Sequence, residues 1–308
     1  MSDSGNEPDQ PATIDVAELV IQRAVDDPRS AGFRIDLVAG SAIPRLSAAA
    51  GLFRDETGKA GDFDLQQAYA SYIAPLGRGL RVDAGKFVTP AGAEVIDGYD
   101  GFGDQYSRSF LFGYAVPFTH TGLRLAYPFH DRVSLAALAT NGWDVVRDNN
   151  DVGALGTVLT VLPATDLTIA ATYLGGPERP DDDHVWRHLF DLVATWKPLS
   201  ELTLMVNTDY ARDGGLRWWG AAGYLRVDIA RRLAIAARGE IFRDPDGART
   251  GTSQRLWEAT ATSIFRLASG FTLRLELRND HSNATSFGSE DGDRRSQLTG
   301  AINASYAM

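Results

Sequence analysis

Along most of the chain, hydrophobic and polar residues alternate with a period of two. In residues 271–280, Phe271, Leu273, Leu275 and Leu277 share one parity, and Thr272, Arg274, Glu276, Arg278 and Asp280 share the other. Residues 202–210 repeat the pattern: Leu202, Leu204, Val206, Thr208 and Tyr210 oppose Thr203, Met205, Asn207 and Asp209. So do residues 233–241 and 257–267, where Arg238 and Glu240, then Glu258, Thr260 and Thr262, fall on the polar side. A helix turns about 100° per residue and would smear these sets around its circumference; a strand keeps them on two faces. The alternation predicts fifteen strands, the first at 14–25 and the last at 296–308.

The connections between these strands differ systematically in length. Short ones fall at 26–31, 75–79, 129–132, 163–166, 198–201, 230–232 and 268–270. Longer, more polar ones fall between them, at 43–62, 90–119, 141–151, 175–187, 244–253 and 282–294, with 213–215 as a short exception. Short turns at one end and long loops at the other predict an all-β fold, a transmembrane antiparallel up-and-down β-barrel of about 14–16 strands. A soluble sandwich has no reason to segregate its loops in this way. Residues 1–13 read as a disordered polar N-terminus and 14–308 as a single β-barrel domain.

Strand parity adds an expectation. Single-chain bacterial barrels usually have an even strand number with both ends on the short-turn side. The last strand ends on that side, but the strand at 14–25 runs into a short turn and so begins on the long-loop side. Sixteen strands are therefore expected in the complete protein, with the first strand and a signal peptide upstream of this chain. The opening MSDSGNEPDQ has no basic start and no apolar core, so no signal peptide is visible within it. If 14–25 is instead an amphipathic helix, fourteen strands remain.

Aromatic residues sit near strand ends at Tyr72, Tyr127, Tyr173, Trp196, Tyr210, Trp218, Trp219, Tyr224, Trp257 and Tyr306, as the interfacial girdles of a membrane barrel require. The last strand alternates to the final residue through Ile302, Ala304, Tyr306 and Met308; Met308 stands where outer-membrane barrels typically end in an aromatic residue.

Composition narrows the function. The 308 residues carry 40 acidic and 30 Lys/Arg side chains, a formal net charge of −10, which argues against nucleic acid. There is no cysteine, so disulfide scaffolds, zinc ribbons and Cys nucleophiles are excluded. No apolar run is long enough for a transmembrane helix, a test that barrel strands do not fail.

Four segments carry a family resemblance. GKFVTPAGAEVIDG at 85–98, PFTHTG at 117–122 followed by LRLAYPF, NGWDVVRDNN at 141–150, and AELVIQRAVDDPRSAGFRIDLVAG at 17–40 occur in family order and spacing. With them the chain resembles the OmpL-like β-barrel porins of Gram-negative bacteria from about Ala17 to its end. The family's usual first strand has no counterpart here. The resemblance implies location in the cell outer membrane, contact with its lipid and lipopolysaccharide, and a porin. It brings no catalytic residue.

The family-like connection 90–117 is the longest. Folded inward, it would form a pore constriction with Glu94, Asp97, Asp100 and Asp104, faced by Arg108 and Arg124 across the pore. Left outside, it is a solvated loop. Lumen-lining candidates on polar strand faces are Arg81 with Asp83, Arg238 with Glu240, and Arg274, Glu276 and Arg278 with Asp280. His184 and His188 lack the glutamate of an HExxH motif, and the acidic runs at 148–151, 181–183 and 290–293 lack EF-hand spacing, so no metal site is expected. No GxSxG elbow, P-loop or dinucleotide fingerprint occurs.

The leading expectation is a non-enzymatic, cofactor-free outer-membrane diffusion channel for small hydrophilic solutes and ions, open to homo-oligomers. The acidic balance suggests a weak cation preference, although whole-chain charge is a poor guide to a constriction. The alternatives are a non-conducting structural or surface-binding barrel and a soluble carbohydrate-binding sandwich.

Overall fold

In the computed structural model, residues 13–46, 52–53, 61–96, 103–288 and 294–307 are described. They form fifteen strands: β1 (Ala17–Arg23), β2 (Ala31–Ala39), β3 (Phe63–Ala74), β4 (Leu80–Val88), β5 (Thr119–His130), β6 (Val133–Thr140), β7 (Ala154–Ala164), β8 (Leu167–Arg179), β9 (Asp182–Leu199), β10 (Leu202–Asp213), β11 (Leu216–Ala230), β12 (Leu233–Asp244), β13 (Gln254–Ala268), β14 (Phe271–Ser282) and β15 (Ser296–Tyr306). Each pairs antiparallel with its neighbours in chain order, giving one up-and-down sheet. β1 and β15 pair on one side only, so the sheet is not closed among the described residues. No described helix is long and apolar enough to cross a membrane. The segment at 14–25 contains the strand β1, not a helix. The expected N-terminal segment 1–13 falls almost wholly outside the described residues.

The pattern of burial is inside out. In β14, Glu276, Arg278, Asp280 and Ser282 are buried, while the intervening Leu275 and Leu277 are exposed. β13 buries Glu258, Thr260 and Thr262 and exposes Trp257, Ala259 and Ala261. A water-soluble sheet would do the reverse. A polar inner face and an apolar outer face fit a sheet curled around a polar interior with lipid outside.

Two expectations change. The loop expected at 175–187 is a hairpin: β8 runs to Arg179, β9 starts at Asp182, and only Pro180 and Asp181 lie between, with Asp181 at φ 58°. Gly175, Gly176 and Pro177 hide the alternation without stopping the ladder. A Cβ on Gly176 would lie 2.5 Å from that of Ala154, so the glycine lets the sheet pack there. The second change concerns the girdle. Tyr72, Trp196, Tyr210, Trp257 and Tyr306 do face outward and exposed, but Trp218 and Tyr224 are buried on the inner face.

Candidate functional site

The segment 89–118 leaves β4 and returns to β5, yet its described residues reach β9–β14 across the concave side of the sheet. It reaches them by offering backbone groups to charged side chains of the wall. Glu276 on β14 accepts the N–H groups of Tyr106 (2.7 Å) and Ser107 (2.9 Å). Glu240 on β12 accepts those of Phe110 (2.5 Å) and Leu111 (3.1 Å), at the start of a π-helical turn, Leu111–Ala115. The donors work in the opposite sense: Arg278 donates to the carbonyl of Arg108 (2.5 Å), Trp218 Nε1 to that of Ala115 (3.1 Å) and Arg249 Nε to that of Tyr114 (2.6 Å). A buried loop must satisfy its peptide groups somewhere, and here the lumen wall does so.

At the centre lies Arg238 on β12, with a fully buried side chain. Its Nε donates to Glu258 on β13 (2.6 Å), and one terminal nitrogen donates to Glu94 of the loop (2.9 Å) and to the carbonyl of Ser107 (2.9 Å). Glu94 also accepts from the Tyr224 hydroxyl (3.1 Å) and from Ser109 N–H. The rest of the loop packs by apolar contact. Leu111, Ala115 and Val116 join Trp143, Trp218, Phe242 and Leu256 in one buried cluster. Phe112 and Phe118 meet Ile96 in a second. A Cβ on Gly220 of β11 would come within 2.7 Å of Leu111 Cδ1, so the close seating of the turn depends on that glycine.

The expected constriction residues separate. Glu94 and Asp104 lie against the wall, paired with Arg238 and Arg226, not with Arg108 or Arg124. Arg108 donates to the Ile96 carbonyl (2.7 Å), with its guanidinium over the Phe112 ring. Arg124 on β5 pairs with Asp83 on β4 (2.7 Å), which also holds Arg81 (2.9 Å) and the Ser71 hydroxyl (2.5 Å). Asp97 and Asp100 lie outside the described residues. The lumen-lining candidates share the polar, buried parity of their strands; Arg81 pairs with Asp83 as sequence proximity suggests, and Arg238 does not pair as it suggests. Arg238 pairs with Glu94 and Glu258, not Glu240; Arg278 does pair with Asp280 (2.7 Å). Arg274 reaches Ser305 (2.9 Å) and the Gly103 carbonyl (3.2 Å).

Burial shifts the loop's titratable groups. The Asp104 carboxyl is pushed up by burial, against the opposing pull of Arg226. The Tyr106 hydroxyl, partly desolvated although the residue is 40% exposed, and donating to Asp15 (3.0 Å), is pushed up to about 12.

Arg226, Glu258, Trp218, Tyr224 and Arg249 also hold the site and were not singled out from sequence as lining residues. Two signals were available. Trp218 and Trp219 are adjacent in one strand, so one of them had to face inward. The run FLFGYAVPF at 110–118 is apolar without period-two order, in a connection otherwise polar.

The family described as "Putative beta-barrel porin-2, OmpL-like" matches residues 3–308. The chain belongs to this family. It is an outer-membrane β-barrel of the porin type. Solved structures agree in fold at low identity. The anion-selective porin from Comamonas acidovorans matches with a TM-score of 0.65 at 11% identity, covering 95% of this chain and 89% of that one. Vibrio cholerae OmpT in its trimer form matches with a TM-score of 0.60 at 13% identity, covering 94% and 90%. Pseudomonas putida OprB matches with a TM-score of 0.60 at 12% identity, covering 90% and 83%. No curated protein sequence matches the chain.

Proposed function

We propose that the protein is a passive diffusion channel of the outer membrane for small hydrophilic solutes and ions, narrowed by the 89–118 loop. The observation that carries this reading is the clamping of the loop to β9–β14, through Glu240, Glu276 and Arg238. A loop held to one side of the lumen reduces the bore without needing to fill it. The opposite wall, at β3–β5, carries its own ion-paired group around Asp83. No catalytic group, cofactor or energy source enters such a mechanism: solutes pass by size and by the field of the lining charges. A homo-oligomer within the membrane, in contact with lipid and lipopolysaccharide, is the matching assembly.

The sign of ion selectivity has two readings. The net charge of −10 supports a weak cation preference. Two ion-paired groups support the opposite, because at Asp83 and Asp104 the carboxylate lies deeper than its arginine partners. The Asp83 side chain is 1% exposed against 39% for Arg81 and 23% for Arg124. The Asp104 side chain is 7% exposed against 26% for Arg226. A permeating ion meets the guanidiniums first.

The test is single-channel current across a planar bilayer under a KCl gradient, with the chain refolded in detergent. Stepwise conductance is expected, and its reversal potential gives the sign. A folded barrel that inserts and passes no current would overturn the channel reading in favour of a plugged, structural barrel.

A further inference from the structure

Carboxylates on the inner wall nearly all have a visible partner. Asp36 has Arg34, Asp64 has Lys86, Asp83 has Arg81 and Arg124, Asp213 has Arg179 and Arg187, and Asp280 has Arg278. Glu240 and Glu276 instead accept pairs of loop N–H groups. One pair breaks this pattern. Asp191 on β9 and Asp209 on β10 are directly opposed in the ladder and lie within hydrogen-bond reach of each other. Both are buried, at 4% and 3% exposure. No arginine or lysine among the described residues forms an ion pair with either. Asp191 receives the Asn207 amide (2.6 Å) and the Gly92 N–H of the loop. Its other oxygen, and both oxygens of Asp209, have no well-formed hydrogen bond among the described residues.

A third group points to the same place. Thr172 on β8 is in register with Asp191, is 3% exposed, and turns its hydroxyl toward the Asp191 carboxylate without a well-formed hydrogen bond to any described residue. Three adjacent strands thus bring together four buried oxygens that lack a well-formed hydrogen bond, two carboxylates among them. Glu240 lies near enough to add negative potential at Asp209. Two desolvated carboxylates side by side cannot both stay ionised without a positive charge between them. Hard cations take oxygen ligands of this kind, with carboxylates mono- or bidentate at about 2.3–2.6 Å. Among the described residues, no group of three or more His, Cys, Asp or Glu comes together as a metal site. This site would rest on two carboxylates, a hydroxyl and water.

We propose that Asp191, Asp209 and Thr172 bind one calcium-class divalent cation, at the seam where the interior loop crosses β9 and β10. Its place explains its use. Gly92 donates to Asp191, and the neighbouring Ala93 N–H donates to Asn207 Oδ1 (3.2 Å). The ion would neutralise the wall beneath the first turn of the loop, so loop seating and cation binding are coupled. The site does not depend on whether the barrel conducts.

The test uses the full chain, folded in detergent free of lipopolysaccharide, stripped with EDTA and titrated with CaCl2 by calorimetry, with thermal unfolding in parallel. The wild type is expected to take up one calcium per chain and to melt at a higher temperature once loaded. Asp209→Asn should lose that uptake and the calcium-dependent rise. In EDTA it should melt at least as high as the wild type, because its amide can donate to Asp191. Thr172→Val keeps both charges and should bind calcium more weakly; it serves if Asp209→Asn does not fold. A wild type that takes up no calcium overturns the proposal, and would mean that the carboxylates share a proton. Calcium uptake equal in wild type and Asp209→Asn also overturns it, placing the ion on surface loops. Unchanged affinity in Thr172→Val would do the same for the ligand set.

Discussion

Arg238→Met removes the cation that joins Glu94 of the interior loop to Glu258 of the wall. The side chain is fully buried, as are those of its partners Glu94 and Glu258. Methionine fills much of the same volume but leaves both carboxylates without their counter-ion. Glu94 keeps the Tyr224 hydroxyl and Ser109 N–H, and Glu258 keeps the Thr260 hydroxyl, so neither is left bare. Ser107 loses the donor to its carbonyl. Breaking a buried ion pair by removing one partner costs about 3–5 kcal/mol, most of it the stranded charge rather than the lost attraction. Because two carboxylates share this arginine, the upper part of that range is expected. That corresponds to a fall of about three orders of magnitude in the folded-to-unfolded ratio. Guanidinium unfolding of the refolded barrel, followed by tryptophan fluorescence, measures it. The diagnostic is the triple variant Arg238→Met, Glu94→Gln, Glu258→Gln, which removes the stranded charges. It should recover most of the loss, since neutral replacements of buried ion clusters are often tolerated. The loop keeps its clamps at Glu240 and Glu276, so channels of the single variant should stay narrowed but become noisier. A single variant within about 1 kcal/mol of wild type, or a triple variant no better than the single, would refute the stranded-charge argument.

Four further outcomes follow from the same contacts. Trp218→Phe keeps the packing but strands the Ala115 carbonyl, and should cost about 1–3 kcal/mol in the same unfolding assay. Gly220→Val places carbon where Leu111 sits and should unseat the π-helical turn without changing any charge, seen as larger single-channel conductance. Leu277→Arg puts a charge on the lipid-facing side near mid-strand, and should cost about 2–4 kcal/mol in lipid vesicles. Tyr106 should titrate near 12 by ultraviolet absorbance, and Asp15→Asn should lower that value. Between pH 10.0 and about 12 the folded chain keeps a proton that the unfolded chain has released, so stability falls as pH rises through this window.

The strands and their faces were legible because alternation records a difference in chemistry between two environments, and each strand samples both at every second residue. β14 shows the faces that its sequence predicts, charge inward and leucine outward, and β13 turns Glu258, Thr260 and Thr262 inward and Trp257 outward. Where glycine and proline interrupt the code, at 175–177, the ladder continues but the pattern does not, and β8 and β9 came out longer than read. The partners of the lumen charges were legible only for neighbours two apart on one strand, as in Arg81–Asp83 and Arg278–Asp280. Glu94 and Arg238 are 144 positions apart, and an inward arginine reads the same whether it faces water, a neighbouring strand or a loop. Proximity in sequence suggested Arg238 with Glu240, which the sheet separates into two jobs: one pairs with the loop's carboxylate, the other holds the loop's peptide groups.

That division has a physical logic. A strand residue points its side chain straight into the lumen, so a carboxylate there can meet a backbone N–H that arrives edge-on from a crossing loop. Glutamate reaches further than aspartate, and it is Glu240 and Glu276 that each span two successive N–H groups of the loop. The aspartates of the same wall serve instead as partners to arginines on their own or adjacent strands, as Asp83 and Asp280 do. Asp191 and Asp209 do neither job completely, since only one of them touches the loop and no arginine reaches the other. In a wall where the remaining acids are matched to a cation or to peptide N–H groups, this unmatched pair is where an added cation changes the energy of the loop most.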